Sequence, residues 1–303
     1  MPREPAGKHC EKMRVLIIGN PVAGLGRTER RVHEFGGLLA RRGHDVEICL
    51  TARAGEAGKR ARSISSNLGR LVVAGGDGTV NEVLNGLTDP SHVPILLLPT
   101  GTANQLALTL QLPTDHERLA TCLEQGLSKR IDMGLAGGRR FLLLVSAGFD
   151  AKVAEEVRKC RGNTLGYSGY MLPLLRTAAV HRPARLRIVV DGRQEITGCN
   201  VMVLKVRRYG GLFVFADDAS LDSGHFEICV FREGTIGWLC LYALAALTGK
   251  ASDFPGLIRA TGRKVRIESE EPVPIEIDGD HFGVTPIDIE LQPAVVPVIV
   301  PGL

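Results

Sequence analysis

Aromatic side chains are scarce, making up 5% of the 303 residues with a single tryptophan. That leaves little material for aromatic cages. Charge of one sign is also in short supply: 37 basic against 33 acidic side chains leave a net of +4, too little for a dedicated nucleic-acid binder. Seven cysteines are scattered, odd in number and never spaced as CxxC, which argues against structural zinc and a disulfide framework and for a reducing cytoplasm. The polar start, Met1 to Glu11, lacks the apolar core of a secretion signal. No apolar run approaches the roughly 20 residues of a membrane-spanning helix. The longest, Thr235 to Thr248, reads as a core helix in preference to a lipid-touching surface.

What is present is an ordinary globular mixture, 44% hydrophobic and 23% charged, with 36 glycines. At roughly 100–200 residues per domain, the length predicts two domains. The small net charge conceals a bias. Residues 138–208 carry 14 basic and 5 acidic side chains, net +9, while residues 209–303 carry 6 and 14, net −8.

The first half alternates strand and helix. Apolar runs at Val15–Gly19, Val46–Leu50, Arg70–Ala74 and Pro94–Leu98 predict strands. Helical patterns fall at Thr28–Arg42, Ala54–Leu68, Val80–Leu87 and Ala103–Leu110. Such alternation implies right-handed crossovers and a parallel sheet. From Lys129 the pattern changes to helices near Ala151–Arg161 and Leu165–Val180, then mainly alternating strands with Asp-Gly turns at Asp191 and Asp278. Asp-Gly between alternating runs signals a hairpin, so the second half predicts an antiparallel β sandwich or flattened barrel.

Ligands of open parallel sheets bind beyond the carboxyl ends of the strands, and three glycine-bearing turns fall there. Asn20-Pro21-Val22-Ala23-Gly24-Leu25-Gly26 follows the first strand and matches neither the dinucleotide fingerprint nor the phosphate loop. Gly75-Gly76-Asp77-Gly78-Thr79 follows the third and opens a helix, where amide groups and the helix N-terminus favour an anion. Asp77 would repel a phosphate directly but suits a site in which Mg²⁺ or its waters stand between. Thr100-Gly101-Thr102-Ala103-Asn104-Gln105 follows the fourth strand. Thr79 with Glu82, and Thr102 with Gln105, both fit a capping box. Together these turns describe a phosphate-binding rim.

The stretch from Gly75 through Thr79, Val80, Asn81 and Glu82 to Leu87 resembles the diacylglycerol-kinase catalytic-domain family, which includes bacterial lipid kinases and sphingosine kinases. The short Gly-Gly-Asp-Gly turn is shared with NAD kinases and looks like the turn of phosphofructokinases. Asn20-Pro21 with Gly24 and Gly26, Gly101-Thr102-Ala103-Asn104, Gly148-Phe149-Asp150-Ala151, Tyr209-Gly210-Gly211 and Asp278-Gly279-Asp280 extend the resemblance over nearly the whole chain.

The resemblance implies an ATP-dependent lipid kinase acting on a membrane lipid such as diacylglycerol. Its fold would be an α/β domain with a parallel sheet, like that of NAD kinase, and a β-rich, mainly antiparallel domain. Residues 12–135, rejoined by 287–303, would hold the nucleotide, and residues 136–286 the lipid. By motif, Asn20, Thr51, Gly75, Gly76, Asp77, Gly78, Thr79, Val80, Asn81 and Thr102 are similar to nucleotide contacts. Asp77 resembles the aspartate of a Mg²⁺–water network, Asp132 another acidic position near the active site, and Asp280 the general base. Implied cofactors are ATP and Mg²⁺, and the implied location is cytoplasmic and peripheral to an anionic membrane. No nucleic acid is expected, and a homodimer stays open.

Several positions depart from the family. Gln105 stands in place of Asp, and Asp280 in place of Glu. Leu221-Asp222-Ser223-Gly224 lies where relatives carry Asp-Asp-Gly and bind a structural Mg²⁺, with Ser223 at the usual ligand position and Asp222 as the remaining candidate. Lys205 replaces Asn, with no physical account from sequence. Two further readings stay open: a catalytically weak nucleotide or lipid sensor, and a kinase of a soluble nucleotide related to NAD kinase. Arg139-Arg140 and Arg207-Arg208 read as solvated surface, Asp150 is divided between a helix cap and a site residue, and the scattered histidines suggest no metal or triad. Anionic lipids attract basic segments by about 1 kcal/mol per charge near the surface, so the +9 block is the expected membrane-docking surface.

Overall fold

The computed structural model describes residues 12–160 and 168–302. Four parallel strands, β1 (Arg14–Gly19), β2 (Asp45–Leu50), β3 (Arg70–Gly75) and β4 (Ile95–Pro99), lie in the order β2-β1-β3-β4. The inner three are almost wholly buried, as uninterrupted apolar runs must be when helices cover both sheet faces. Those helices are α1 (Thr28–Arg41), α2 (Glu56–Arg62), α3 (Asp77–Gly86), α4 (Gln105–Thr109) and α5 (His116–Gln125). Helix α2 ends sooner than its periodicity predicts. Ser63, Ser65, Ser66 and Asn67 follow, and such side chains compete with helical hydrogen bonds.

The second half contributes β5 (Leu127–Ala136), β6 (Arg139–Phe141), β7 (Leu144–Ala147), α6 (Phe149–Cys160) and α7 (Ser168–Val180). It continues with β8 (Leu186–Val190), β9 (Gln194–Gly198), β10 (Asn200–Leu204), the short pair β11 (Arg208–Tyr209) and β12 (Phe213–Val214), and β13 (Phe226–Phe231). Then come α8 (Ile236–Leu247), β14 (Leu257–Gly262), β15 (Lys264–Ser269), β16 (Pro274–Ile277), β17 (Asp280–Val284) and β18 (Ile287–Val300). A six-stranded antiparallel sheet, β14-β13-β10-β7-β16-β17, faces the β18-β15-β8-β9 part of the large sheet. Alternate residues of the two, such as Val203, Ile228, Ile275, Ile188, Ile267 and Ile289, fill the space between them. The fold is therefore an α/β layer with a parallel sheet joined to an antiparallel β sandwich.

Strand β18 belongs to both halves. Its start pairs with β15, Lys264 opposite Glu290. It runs beside β5 on both sides of an irregularity between Gln292 and Val296, and meets β4 at Val298 opposite Ile95. The parallel and antiparallel parts thus form one ten-stranded sheet.

Helix α8 corrects the core-helix reading of Thr235–Thr248. Tyr242, Ala245 and Ala246 pack inward on Phe231 and Met202, whereas Leu241, Leu244 and Leu247 are 46%, 58% and 53% exposed. Residues three and four apart share a helix face, so the outward leucines make one apolar stripe. No described helix is long and apolar enough to cross a membrane.

Candidate active site

Glycines bring three turns into contact at the carboxyl edge of the parallel sheet. A Cβ on Gly24 would fall 1.8 Å from the Thr100 carbonyl oxygen, and one on Gly101 would fall 2.4 Å from the Gly76 Cα. Only glycine permits these approaches. The Thr28 hydroxyl donates to Thr100 Oγ1 at 2.7 Å, and Asn104 Oδ1 accepts from Gly101 N at 2.8 Å. At the rim, Asn20 Oδ1 accepts from Val22 N and the Thr51 hydroxyl donates to the Gly19 carbonyl. Gly78 and Thr102 are exposed, while Val80 turns its side chain into the core.

Neither expected capping box forms. Helix α3 begins at Asp77, with Gly76 extended before it, and α4 begins at Gln105 after Asn104. Thr79 therefore lies inside the first turn of α3, beneath Gly75, where a Cβ would come within 2.4 Å of its hydroxyl. Glu82 accepts from Gly58 N at 3.2 Å instead of closing a box. The cap of α4 comes from Asp77, whose two oxygens accept from Gln105 N at 2.9 Å and Leu106 N at 3.0 Å. Burial pushes the Asp77 carboxyl above its usual value against the pull of those amides. Gln105, freed from a capping role, accepts from Gly211 N through Oε1 at 3.2 Å, tying α4 to the Tyr209-Gly210-Gly211 loop.

The second half reaches α3 through Asn81, Arg139 and the β16–β17 turn. Asn81 Nδ2 donates to Asp278 Oδ2 at 2.9 Å, and Asn81 Oδ1 accepts from Arg139 at 2.9 Å. Arg139 also donates to Asp280 Oδ2 at 3.1 Å. The amide of Asn81, expected at the nucleotide, is thus spent at this junction. Arg140 donates to the Leu84 and Leu87 carbonyls, so the two arginines are not the solvated surface expected of them. Asp278, which sequence reads as a hairpin turn, accepts from the amides of Leu142, Leu143 and Leu144 at 2.9–3.0 Å. Burial pushes its carboxyl up while those bonds pull it down. Arg139, Asp280, Gly279, His281 and α6 line a cavity of about 200 Å³.

Behind the turn lies a buried acidic pair, of which sequence reading singled out Asp150 and missed Glu276. Glu276 is 1% exposed; it accepts from the Ser146 hydroxyl at 2.7 Å and from Gly279 N. Burial first, then the charge of Asp150, push Glu276 up to about 8. Asp150 is itself raised by burial, and its Oδ2 is buried without a hydrogen bond.

Asp132 lies in another buried group. Its Oδ1 accepts from Ala294 N at 2.9 Å, and its Oδ2 from Lys205 Nζ at 2.7 Å and Gly224 N at 2.8 Å. Every one of these bonds joins it to the second half or to β18, and none to Asp77 or Asp280. Asp222 turns to Lys129, 2.8 Å away. Among the described residues no three His, Cys, Asp or Glu side chains gather into a metal-binding group.

A glycine-lined rim at the carboxyl edge of the parallel sheet is thus joined, through Asn81 and Arg139, to a carboxylate turn of the second half. The diacylglycerol kinase catalytic domain family matches residues 14–136, and the YegS C-terminal NAD kinase beta sandwich-like domain family matches residues 143–300. The chain belongs to the diacylglycerol kinase family that joins these two domains, which places it among the kinases. It is 28% identical over 279 residues to the diacylglycerol kinase of Staphylococcus carnosus (strain TM300), covering 91% of each chain. A Bacillus anthracis str. Sterne crystal structure, of a candidate diacylglycerol kinase, superposes with a TM-score of 0.81 at 26% identity over 98% of each chain. An Archaeoglobus fulgidus NAD kinase solved with ATP is similar in fold, with a TM-score of 0.55 at 15% identity over 95% of this chain and 93% of that one.

Proposed function

We propose that this kinase transfers the γ-phosphoryl group of ATP to a hydroxyl of a membrane lipid such as diacylglycerol. The observation that carries the reading is the Asn81–Arg139–Asp280 chain of hydrogen bonds, which sets a carboxylate of the second half against the helix that opens at the glycine rim. Residues 12–135 with 287–303 would bind nucleotide, and 136–286 would bind lipid. The amides of the Gly75–Thr79 turn, with Asn20, Thr51 and Thr102 around the rim, would receive the phosphates. Val80, with its amide bonded to the Gly76 carbonyl and its side chain in the core, would shape the turn without touching the phosphates.

Phosphoryl transfer needs positioning and charge neutralisation more than covalent chemistry. As the lipid oxygen forms its bond to the γ-phosphorus, the bond to the ADP oxygen breaks. The lipid proton passes to Asp280, the general base. Arg139 holds that carboxylate in place and adds positive charge beside it. The Asp77 oxygens each accept one amide and keep lone pairs for a cation or its waters, so this donor fits a Mg²⁺ that arrives with ATP. Bound there, Mg²⁺ would neutralise phosphate charge. Asp132, saturated by Lys205 and two amides, would position the second half and take no proton.

A lipid acceptor is supported by the exposed apolar rows of the second half. Leu241, Leu244 and Leu247 on α8, with Met171, Leu172 and Leu175 on α7, are each more than two-fifths exposed. Patches of this kind mark protein or membrane contact sites. Radiolabelled ATP offered with a total lipid extract, and separately with NAD, should label lipid alone. Asp280→Asn should lower that labelling by about 10²–10⁴-fold, the usual weight of a general base. Labelled NAD with unlabelled lipid, or an undiminished Asp280→Asn rate, would refute the reading.

A further inference from the structure

Lys205 is wholly buried, at 0% exposure, and a charge is among the costliest groups to bury unless it is fully partnered. Its ammonium donates to Asp132 Oδ2 at 2.7 Å, to the His225 carbonyl at 2.8 Å and to the Ser223 hydroxyl at 2.9 Å. An ammonium has three donors and no acceptor, so this cage uses every hydrogen it carries. A neutral amine would leave one of the oxygens without its donor. The chain segments that meet here are distant in sequence: β5 through Asp132, the end of β10 through Lys205, and the 220–225 loop. The irregular stretch of β18 joins them where Ala294 N donates to Asp132 Oδ1.

Carboxylate, hydroxyl and carbonyl oxygens are the ligands a hard divalent cation chooses. The resemblance to the family implies such an ion, a structural Mg²⁺, beside Leu221–Gly224. The residues here do not fit it. Asp222 is turned to Lys129, Ser223 offers a hydroxyl in place of a carboxylate, and the oxygens already face an ammonium that would repel an incoming cation. We infer that Lys205 is a tethered cation standing in for a structural metal ion, so that the joint between β5, β10, β18 and the 220–225 loop holds without Mg²⁺. The exchange also accounts for two departures from the family at once, Lys205 and Ser223, which sequence alone leaves unrelated.

Thermal unfolding of the nucleotide-free protein tests this without recourse to activity. The wild-type chain should melt at the same temperature in EDTA and in excess MgCl₂. Lys205→Met keeps the length of the stem, loses the charge and leaves Asp132 buried without its ion-pair partner. Its Tm should fall on the order of 10 °C, whether or not Mg²⁺ is added. The double variant Lys205→Asn with Ser223→Asp restores oxygen ligands and should melt higher in MgCl₂ than in EDTA. A wild-type Tm that drops on chelation and recovers with Mg²⁺ would overturn the inference. So would a Lys205→Met protein as stable as wild type, or a double variant indifferent to Mg²⁺. Should neither variant fold, the wild-type comparison decides alone.

Discussion

Glu276 shows how far the setting of one side chain can depart from its sequence. Ile275 and Ile277 face the sandwich core, so strand alternation puts Glu276 on the opposite face, where solvent is expected. Helix α6 packs over that face and buries it. Its carboxyl is pushed up from 4.5 to about 8 by burial and by Asp150. Between those values the folded chain holds a proton that the unfolded chain has released, so stability falls as pH rises through the window and levels off above it. The slope would be at most about 1.4 kcal/mol per pH unit for one proton. Glu276→Gln, which keeps the shape of the protonated acid, should flatten the Tm-against-pH curve and raise Tm at its alkaline end. A variant with the wild-type slope would assign the titration elsewhere. Asp278 teaches the same lesson. Asp-Gly is legible as a turn, but its amide partners lie at Leu142–Leu144, and nothing local in sequence announces a partner so remote. The glycine turns were legible because glycine marks a turn locally, although their contacts with one another were not.

At the scale of elements, α3 and α4 are coupled starts. A capping box is a pattern within one helix, and here the cap crosses between two. Asp77 begins α3 and satisfies the first amides of α4, which puts its carboxylate under two demands. Asp77→Ala should abolish phosphoryl transfer and also cost about 1 kcal/mol of stability, as the loss of a cap does. Asp77→Asn retains one acceptor oxygen and should recover part of the stability without the activity. Urea midpoints measured beside transfer rates separate the two effects. An unchanged midpoint for Asp77→Ala would mean that the α4 cap carries no weight. The order of strands and helices in the first half was readable because three of its four strands are continuous apolar runs. Helix boundaries were less so, since the Gly75–Gly78 stretch lets α3 start before its first apolar residue.

Across the whole molecule, the charge bias of the sequence is partly spent inside the fold. Arg139 meets Asp280, Lys205 meets Asp132, and Arg187 bonds both Glu195 and Glu268. Arg139–Asp280 and Arg187–Glu268 thus set parts of the basic middle against the acidic final third, the latter where β8 and β15 pair. The proposed lipid-facing surface includes the outward leucines of α7 and α8. Burial of a leucine gains roughly 1.5–3 kcal/mol. Leu241→Asp with Leu244→Asp should then weaken binding to anionic vesicles by on the order of a hundredfold, with little change in Tm because both side chains already face outward. Retained binding in co-sedimentation would exclude this face. Sequence could locate the apolar run at 235–248 but not its outward side, because which stripe of an apolar helix is covered depends on the sheet beneath it.

The shared strand has a consequence for how the protein is made. β18 is delivered after every other described strand, yet it lies inside the large sheet between β4 and β15, with Val296, Val298 and Ile299 buried. Domains usually fold as units while the chain is still emerging, the first before the second. This chain cannot do so completely. Until β18 has emerged, β4 presents an unpaired edge, and open edges invite pairing with other chains. The first half to be synthesised is thus among the last to be finished, and the interval before β18 arrives is when a nascent chain is most exposed to the wrong neighbour.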